Sequence, residues 1–165
     1  MEQALETKIG DLLRQKGLKL ATAESFTGGL IGDRITNIPG SSDYFLGGFI
    51  TYAYRAKVAL LGVSWDTLKQ YGAVSRETVW EMAEGARRKL KADIAISASG
   101  IAGPGGGLPN KPVGTAWIGL AATDGKWARL FHLPGERREV KTAGAEAALQ
   151  MLLQYLQGKR ELENN

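Results

Sequence analysis

The hydrophobic and polar positions at the start of the chain change from a helical to a strand period and back again. Apolar residues recur at helical spacing from Leu5 to Leu13, and Gly17 follows as a helix stop. The apolar run over 18–23 predicts a strand, and a helix is expected over 28–37. The chain is therefore expected to begin with a helix, a strand and a second helix.

The middle of the chain continues this alternation. Residues 45–54, FLGGFITYAY, are aromatic and β-branched, which predicts a buried strand. Two short helices are expected over 55–61 and 65–70, and Ser75 is placed to cap a longer helix. The alternating apolar residues of 93–99 then predict another strand.

The last third of the chain is predicted to hold a hairpin and a long helix. The pair Asp124-Gly125 lies between two apolar segments and favours a type I′ hairpin turn. The final residues, ELENN at 161–165, are expected to be frayed. In order, the predicted segments are the glycine- and proline-rich loop 100–112, the strands 113–123 and 126–133, and the helix 136–156.

The order of these elements predicts the fold class. Helices alternate with strands over the first two thirds of the chain, and a hairpin follows. This favours an α/β fold, a three-layer α/β/α sandwich with a mixed, mostly parallel sheet closed by a β-hairpin. The chain has 165 residues, of which 44% are hydrophobic, so one domain with its own core is expected over 1–165.

Composition excludes several classes of site. Cysteine is absent and His132 is the only histidine, so neither a disulfide nor a metal site is expected. The net charge is +4, but the basic residues are spread out, which is weak evidence for nucleic acid and is typical of solvated helix faces. The charge is also compatible with a small anionic substrate. The sequence shows no long apolar run and no signal-peptide core, so we expect a cytoplasmic protein without a membrane span.

The first place with candidate chemistry is 21–29, ATAESFTGG, where a predicted strand turns into a helix. This geometry exposes a nucleophile or cradles an anion, and Ser25 lies in the turn. Gly28 and Gly29 remove side-chain bulk, and a helix beginning near Gly28 would aim free N–H groups at a ligand above Ser25. An ordinary strand-to-helix turn with a Ser/Thr cap is the alternative.

The second place with candidate chemistry is 51–57, at the end of the predicted aromatic strand. A serine nucleophile requires a base, and Lys57 in this segment is the candidate. His132 is expected within a strand, as a packed or surface residue, whereas Ser–Lys pairs are a known variant of the catalytic triad. Lys57 follows a strand predicted to be buried, where desolvation or the nearby Arg55 would lower its pKa. A solvated surface lysine is the alternative.

The third place is the loop that follows the strand carrying Ser97 and Ser99. Its backbone N–H groups can hold a phosphate or an oxyanion, although neither the P-loop nor the Rossmann pattern is present. An exposed surface loop is the alternative. All three places follow predicted strands, so we expect them to share one cleft. The loop holds five glycines within eight residues: Gly100, Gly103, Gly105, Gly106 and Gly107.

Five motifs together resemble the CinA C-terminal domain family, the nicotinamide-nucleotide amidohydrolases of the PncC type. In chain order they are AESFTGG, GGFITYAYRAK, YGAVSRETVWEMAEGA, SGIAGPGGG with KPVGT, and LPGERREV. The resemblance extends from the first predicted helix to the last. We therefore expect one amidohydrolase domain, without the N-terminal pyrophosphatase-like domain of the longer CinA proteins.

The resemblance implies a reaction. A nicotinamide mononucleotide would be hydrolysed at its carboxamide to nicotinate mononucleotide and ammonia, in pyridine nucleotide recycling, with no cofactor and no metal. Matching motif positions make Ser25 the nucleophile, Lys57 the base and Ser99 an assisting hydroxyl, where the family often has Thr. The family likeness also favours a homodimer.

Further residues are expected to bind the substrate. Backbone N–H groups near Thr27 and Gly28, or in the turn 100–103, would hold the oxyanion. The phosphate is expected on the loop 103–107 or at Arg137, and the ribose or pyridinium ring at Tyr52. The predicted binding residues are Thr27, Gly28, Gly29, Tyr52, Gly100, Gly103, Gly105, Gly106 and Arg137.

Two departures from the family pattern keep other functions open. Phe26 stands where the family often has Cys, which would reshape the pocket beside the nucleophile. Tyr54 and Arg55 stand where Asn and Glu are common, which bears on substrate affinity and on the surroundings of Lys57. The alternatives are a nucleotide-binding regulatory module without turnover and an interaction protein tied to competence or DNA damage.

Overall fold

The computed structural model describes residues 1–164 and arranges their helices and strands in three layers. Besides these elements, a short 3-10 helix covers Ser41–Asp43. The elements in chain order are α1 (Leu5–Lys16), β1 (Leu20–Glu24), α2 (Leu30–Thr36), β2 (Phe45–Ile50), α3 (Tyr54–Leu61), α4 (Trp65–Tyr71), α5 (Arg76–Leu90), β3 (Ile94–Gly100), β4 (Thr115–Ala122), β5 (Gly125–His132) and α6 (Arg137–Leu156).

The sheet has the strand order β2-β1-β3-β4-β5. β1 pairs in parallel with β2 and with β3, whereas β4 and β5 add two antiparallel pairings. Four of the five strands therefore point the same way, and only β4 is reversed. This confirms the predicted mixed, mostly parallel sheet with a hairpin. The carboxyl ends of β1, β2 and β3 meet at one edge of the sheet.

The two faces of the sheet are packed differently. Helices α1, α2 and α6 cover a face filled by large side chains such as Ile94, Ile96 and Ile118. The other face is rich in alanine and lies against α5, on which α3 and α4 pack. A side chain at Gly119 would place its Cβ 2.6 Å from the Val79 carbonyl oxygen. Small residues therefore let α5 approach the strands closely.

The strand predicted over 45–54 is shorter and less buried than expected. β2 ends at Ile50 and lies at the edge of the sheet, with Leu46 and Ile50 exposed. Aromatic and β-branched residues indicate a strand, but they do not distinguish an edge strand from a central one. The chain turns out of the sheet at Thr51, whose N–H still donates to the Glu24 carbonyl at 2.8 Å.

The hairpin turn is not of type I′, contrary to the prediction. Ala122 pairs with Gly125, so Thr123 and Asp124 are the two central residues. A type I′ turn requires positive φ at both. Lys91 is the only non-glycine residue among 1–164 that has a positive φ. The Asp-Gly pair therefore spans the turn and the first residue of β5.

The segment after α6 is held against the fold, whereas a frayed tail was expected. Leu162 is buried in the apolar core. The Asn164 side-chain amide accepts a hydrogen bond from the Leu130 N–H at 2.6 Å and donates to the Leu130 carbonyl at 3.1 Å. This side chain thus pairs with the outer edge of β5 much as a neighbouring strand would. Residue 165 lies outside the described residues.

Candidate active site

Ser25 and Lys57, which are 32 positions apart in the sequence, meet at the carboxyl edge of the sheet. Ser25 directly follows β1, and its N–H donates to the Ala98 carbonyl of β3 at 3.0 Å. Lys57 lies on α3, and its Nζ is 3.0 Å from Ser25 Oγ. Both side chains are buried, at 7% and 1% exposure. The predicted nucleophile and base are therefore within hydrogen-bonding distance.

Two carbonyl oxygens complete the surroundings of the Lys57 amine. They belong to Thr51, at 2.6 Å, and to Tyr52, at 3.4 Å. A neutral amine has two N–H bonds and one lone pair, so it can donate to both carbonyls and accept from the Ser25 hydroxyl. Burial lowers the pKa of Lys57 to about 8. The cause is lost hydration, since the Arg55 side chain is exposed.

A buried carboxylate that was not predicted, Glu24, organises the turn around Ser25. Its side chain is 2% exposed and caps the first turn of α2, where unpaired N–H groups and the helix dipole favour negative charge. The available signal was an acidic residue directly after a predicted apolar strand, since a buried charge requires partners. Its four donors are the Thr27 hydroxyl at 2.7 Å and the N–H groups of Gly29, Ile31 and Gly32 at 3.2, 2.9 and 3.0 Å.

The N–H groups at the start of α2 are therefore not available to a ligand. Gly29 donates to Glu24, and the Gly28 N–H donates to the Ser25 carbonyl at 3.0 Å. This corrects the expectation that free N–H groups of this helix would face a ligand above Ser25. Within residues 1–164, the N–H groups of Phe26 and Thr27 have no acceptor, so they are the donors that the turn leaves open.

A pocket of about 210 Å³ lies above Ser25. Ser99, immediately before the end of β3, is 1% exposed and borders this pocket. Its hydroxyl makes no hydrogen bond to any other group in the described chain, so it is available to a ligand. The residues that line the pocket are Ser25, Phe26, Tyr52, Lys57, Ala73, Val74, Ser99, Gly100, Ala102 and Arg137.

Arg137, the first residue of α6, closes one side of this pocket. Its guanidinium donates to the Gly103 carbonyl at 2.7 Å and to the Tyr52 hydroxyl at 2.9 Å. The start of α6, the glycine loop and Tyr52, the second residue after β2, are thereby joined across the opening.

The pocket above Ser25 is lined by some of the predicted site residues and not by others. Gly103 reaches the pocket through its bond to Arg137, whereas Gly105 and Gly106 are exposed and do not line it. His132 is exposed at the end of β5. The predicted residues that line the pocket are Ser25, Tyr52, Lys57, Ser99, Gly100 and Arg137, whereas Thr27, Gly28 and Gly29 line a separate cleft beside α6.

Phe26 forms one wall of the pocket, in a gap made by two glycines. A Cβ at Gly144 would lie 2.4 Å from the Phe26 ring, and a Cβ at Gly100 would lie 3.0 Å from it. The ring thus fills the space between α6 and β3. Tyr54 lies apart from the Lys57 amine, and its hydroxyl accepts a hydrogen bond from the Ala73 N–H at 3.4 Å.

Two further observations concern the described residues as a whole. His, Asp and Glu side chains of residues 1–164 do not gather in groups of three or more that could hold a metal ion. No helix in the same range is long and apolar enough to cross a membrane.

Comparison with known proteins relates this fold to a family. The model of the CinA C-terminal domain matches residues 2–156. The CinA-like protein of Chloroherpeton thalassium is 50% identical over 159 residues, which cover 94% of this chain and 38% of that protein. The chain spans between 36% and 39% of the length of several curated relatives that it matches.

Solved structures match along almost the whole chain. The competence/damage inducible protein CihA from Agrobacterium tumefaciens is 41% identical, with a TM-score of 0.88 and 93% of each chain covered. The competence damage-inducible protein A of Klebsiella pneumoniae is 31% identical, with a TM-score of 0.91, and 94% of this chain and 97% of that one are covered. The sequence motifs, the family match and the shared fold agree, and this chain belongs to the CinA C-terminal domain family.

Proposed function

We propose that this chain hydrolyses the carboxamide of nicotinamide mononucleotide with Ser25 as nucleophile and Lys57 as base. The observation that carries the proposal is the 3.0 Å contact between Ser25 Oγ and the buried Nζ of Lys57. Because the pKa of Lys57 is lowered to about 8, an appreciable fraction of the amine is neutral near pH 7 and can accept a proton. The family likeness of the motifs supports the choice of substrate.

The first half-reaction forms an acyl-enzyme. Lys57 takes the hydroxyl proton of Ser25 while Oγ attacks the carboxamide carbon, and the carbonyl oxygen becomes an oxyanion. The N–H groups of Phe26 and Thr27 are the donors proposed to stabilise it. The Lys57 ammonium then returns its proton to the amide nitrogen, the C–N bond breaks, and ammonia leaves.

The second half-reaction releases the acid. Water attacks the ester carbon while Lys57 accepts its proton, and the Ser25 oxygen leaves with that proton as the C–O bond breaks. Nicotinate mononucleotide and the free serine are the products. Ser99, whose hydroxyl has no partner within residues 1–164, is proposed to hydrogen-bond the leaving nitrogen. The Tyr52 ring, which lines the pocket, is proposed to lie against the cationic pyridinium ring.

An ammonia-release assay with nicotinamide mononucleotide tests the proposal. The wild-type chain is expected to release ammonia, and Ser25→Ala is expected to lower turnover by about three orders of magnitude or more with an unchanged unfolding temperature. Ser42→Ala, at an exposed serine away from the pocket, is the matched control and should keep normal turnover. Near-normal turnover of Ser25→Ala would contradict the nucleophile assignment.

The same assay separates this function from its main alternative. A nucleotide-binding module without turnover would bind the mononucleotide in a calorimeter and release no ammonia. The names of the related proteins from Agrobacterium tumefaciens and Klebsiella pneumoniae refer to competence and damage, and they do not specify a reaction.

A further inference from the structure

The pocket above Ser25 is too small for a whole mononucleotide. Its volume is about 210 Å³, whereas pockets that enclose small molecules typically have about 300–1,000 Å³. A nicotinamide ring placed at Ser25 would leave the ribose and the phosphate outside. If the proposed function holds, a neighbouring cavity must receive the phosphate.

Resting on that function, we propose that a cleft between the 27–30 turn and α6 is the phosphate subsite, here called the Lys141 cleft. Its volume is about 370 Å³. The residues that line it include Gly28, Gly29, Asp33, Arg138, Lys141 and Thr142.

The Lys141 cleft holds two cations that the fold does not neutralise. Arg138 and Lys141 form no ion pair with any carboxylate among residues 1–164. Arg137, by contrast, already donates to Gly103 and to Tyr52. A phosphate prefers cations that can give it charge-assisted hydrogen bonds, and Arg138 and Lys141 have not committed theirs.

Gly28 keeps space open beneath one of these cations. A Cβ built on Gly28 would lie 3.6 Å from Lys141 Nζ, so a larger side chain would occupy the place of a ligand atom. Gly28 also has a φ of +64, which other residues adopt at a cost. Gly28 and Gly29 therefore keep the cleft open to a ligand, and they do not contact the substrate at Ser25.

The Lys141 cleft and the Ser25 pocket are bordered by neighbouring residues of the same two segments, the turn after β1 and the first turns of α6. Phe26 lines the pocket, and Thr27, the next residue, lines the cleft. On α6, Arg137 lines the pocket, and Lys141 lies one helical turn further along the same face. A ligand that places its carboxamide at Ser25 can therefore extend along this face of α6 toward Lys141.

A second cavity beside the pocket is a poorer place for a phosphate. It has a volume of about 600 Å³, and it shares Arg137 with the pocket and Arg138 with the Lys141 cleft. Pro104 and Val113 line it, together with the carboxylates of Glu136 and Glu139. Two carboxylates oppose a phosphate dianion, whereas Asp33 is the only carboxylate that lines the Lys141 cleft. The Asp33 carboxylate can instead accept hydrogen bonds from the ribose hydroxyls of the same ligand.

Calorimetry on the Ser25→Ala variant tests the subsite without turnover. Nicotinamide mononucleotide and nicotinamide riboside are titrated into this variant alone and combined with Lys141→Gln, Arg138→Gln or the control Lys69→Gln. Each of the two cleft substitutions should raise the Kd of the mononucleotide about tenfold to a hundredfold. The Kd of the riboside, which lacks the phosphate, should change less than twofold, and the control should change neither.

Two results would overturn the subsite. One is an unchanged mononucleotide affinity in Lys141→Gln with a raised Kd in Arg138→Gln, which would direct the phosphate to the cavity beside Pro104, because Arg138 lines both cavities and Lys141 only the cleft. The other is an equal loss of affinity for mononucleotide and riboside in the Lys141→Gln variant. Failure of the wild-type chain to release ammonia would reject the proposed function instead, and the binding comparison would still decide the subsite.

Discussion

The turn around Ser25 and the glycine loop after β3 follow neighbouring strands at the same edge of the sheet, and both are rich in glycine. Their surroundings differ. Ser25 and Thr27 are buried, and the carboxylate of Glu24 holds the turn through four hydrogen bonds. The loop is exposed from Pro104 to Asn110, and only its first residues reach the pocket.

The difference shows which sequence feature locates the chemistry. A glycine indicates that the backbone needs conformational freedom at that position. Surface loops and tight functional turns both have this need, so glycine content does not distinguish them. Buried charge is more informative, because a charged group is costly to bury without partners. Glu24 and Lys57 are both buried, and both lie on the Ser25 side of this comparison.

The largest expected effect separates two lysines, one from each region. Lys57→Met should lower ammonia release by about three orders of magnitude or more, because no base remains beside Ser25. Lys111→Met, in the glycine loop, removes an amine that donates only to the Tyr71 carbonyl and should change turnover less than twofold. Steady-state kinetics of both variants, with thermal unfolding to show that each is folded, make the measurement. Equal losses in the two variants would remove the distinction between the regions.

The pH dependence of turnover sharpens the assignment of the base. The reaction needs neutral Lys57, so kcat/KM should rise about tenfold per pH unit below pH 8 and level off above it, since the pKa of Lys57 is about 8. Lys111→Met should keep this profile. A profile that is flat between pH 6 and about 9 would contradict Lys57 as the base.

The same pKa predicts how stability depends on pH. Folding lowers the pKa of Lys57 from 10.5 to about 8, so the unfolded chain binds more protons between these values. The free energy of unfolding should therefore rise with pH across that window, by at most about 3 kcal/mol relative to Lys57→Met. Denaturant titrations of both proteins at pH 7.5 and about 10 measure the difference between their free energies of unfolding. If this difference decreased with pH, the lowered pKa of Lys57 would be contradicted.

Replacing Glu24 should destabilise the Ser25 turn. Glu24→Gln removes the charge and turns an amide NH2 toward N–H donors, which should cost about 1–3 kcal/mol of unfolding free energy. For a chain of this size, that lowers Tm by several degrees. The kcat should fall more than KM rises, since Ser25 follows Glu24 directly. Glu161→Gln, at an exposed residue, should leave Tm and kcat unchanged.

The smallest expected effect compares one glycine from each region. Gly28 has a φ of +64, so Gly28→Ala should cost about 1–2 kcal/mol of stability. Gly105 has open space around its Cβ position and no positive φ, so Gly105→Ala should change stability by less than about 0.5 kcal/mol. Thermal denaturation of the two variants measures the difference, and equal costs would mean that the loop is as constrained as the turn.

Much of the architecture could be predicted because periodicity is local. The helical spacing from Leu5 to Leu13 and the alternation over 93–99 correspond to α1 and β3, with ends shifted by one or two residues. The errors occur where packing decides. The exposure of β2 depends on its position at the edge of the sheet. The placement of the tail depends on one leucine, Leu162, which is buried in the core.

The candidate site could be predicted in part. Motif likeness pointed to Ser25, Lys57 and Ser99, and all three line one pocket. Glu24 was missed because its four donors follow it in the chain as ordinary turn and helix residues, and their shared acceptor is visible only in three dimensions.

The amino-acid sequence alone determined the order of helices and strands, the mixed sheet and the identity of the hydroxyl and amine groups that are proposed to carry the chemistry. These depend on neighbouring residues and on short motifs. Only the folded chain brings the Lys57 amine to within 3.0 Å of Ser25 Oγ, buries it and turns two carbonyl oxygens toward it. Those features arise because α3 packs on α5, and contact between residues 32 positions apart is a property of packing rather than of local pattern.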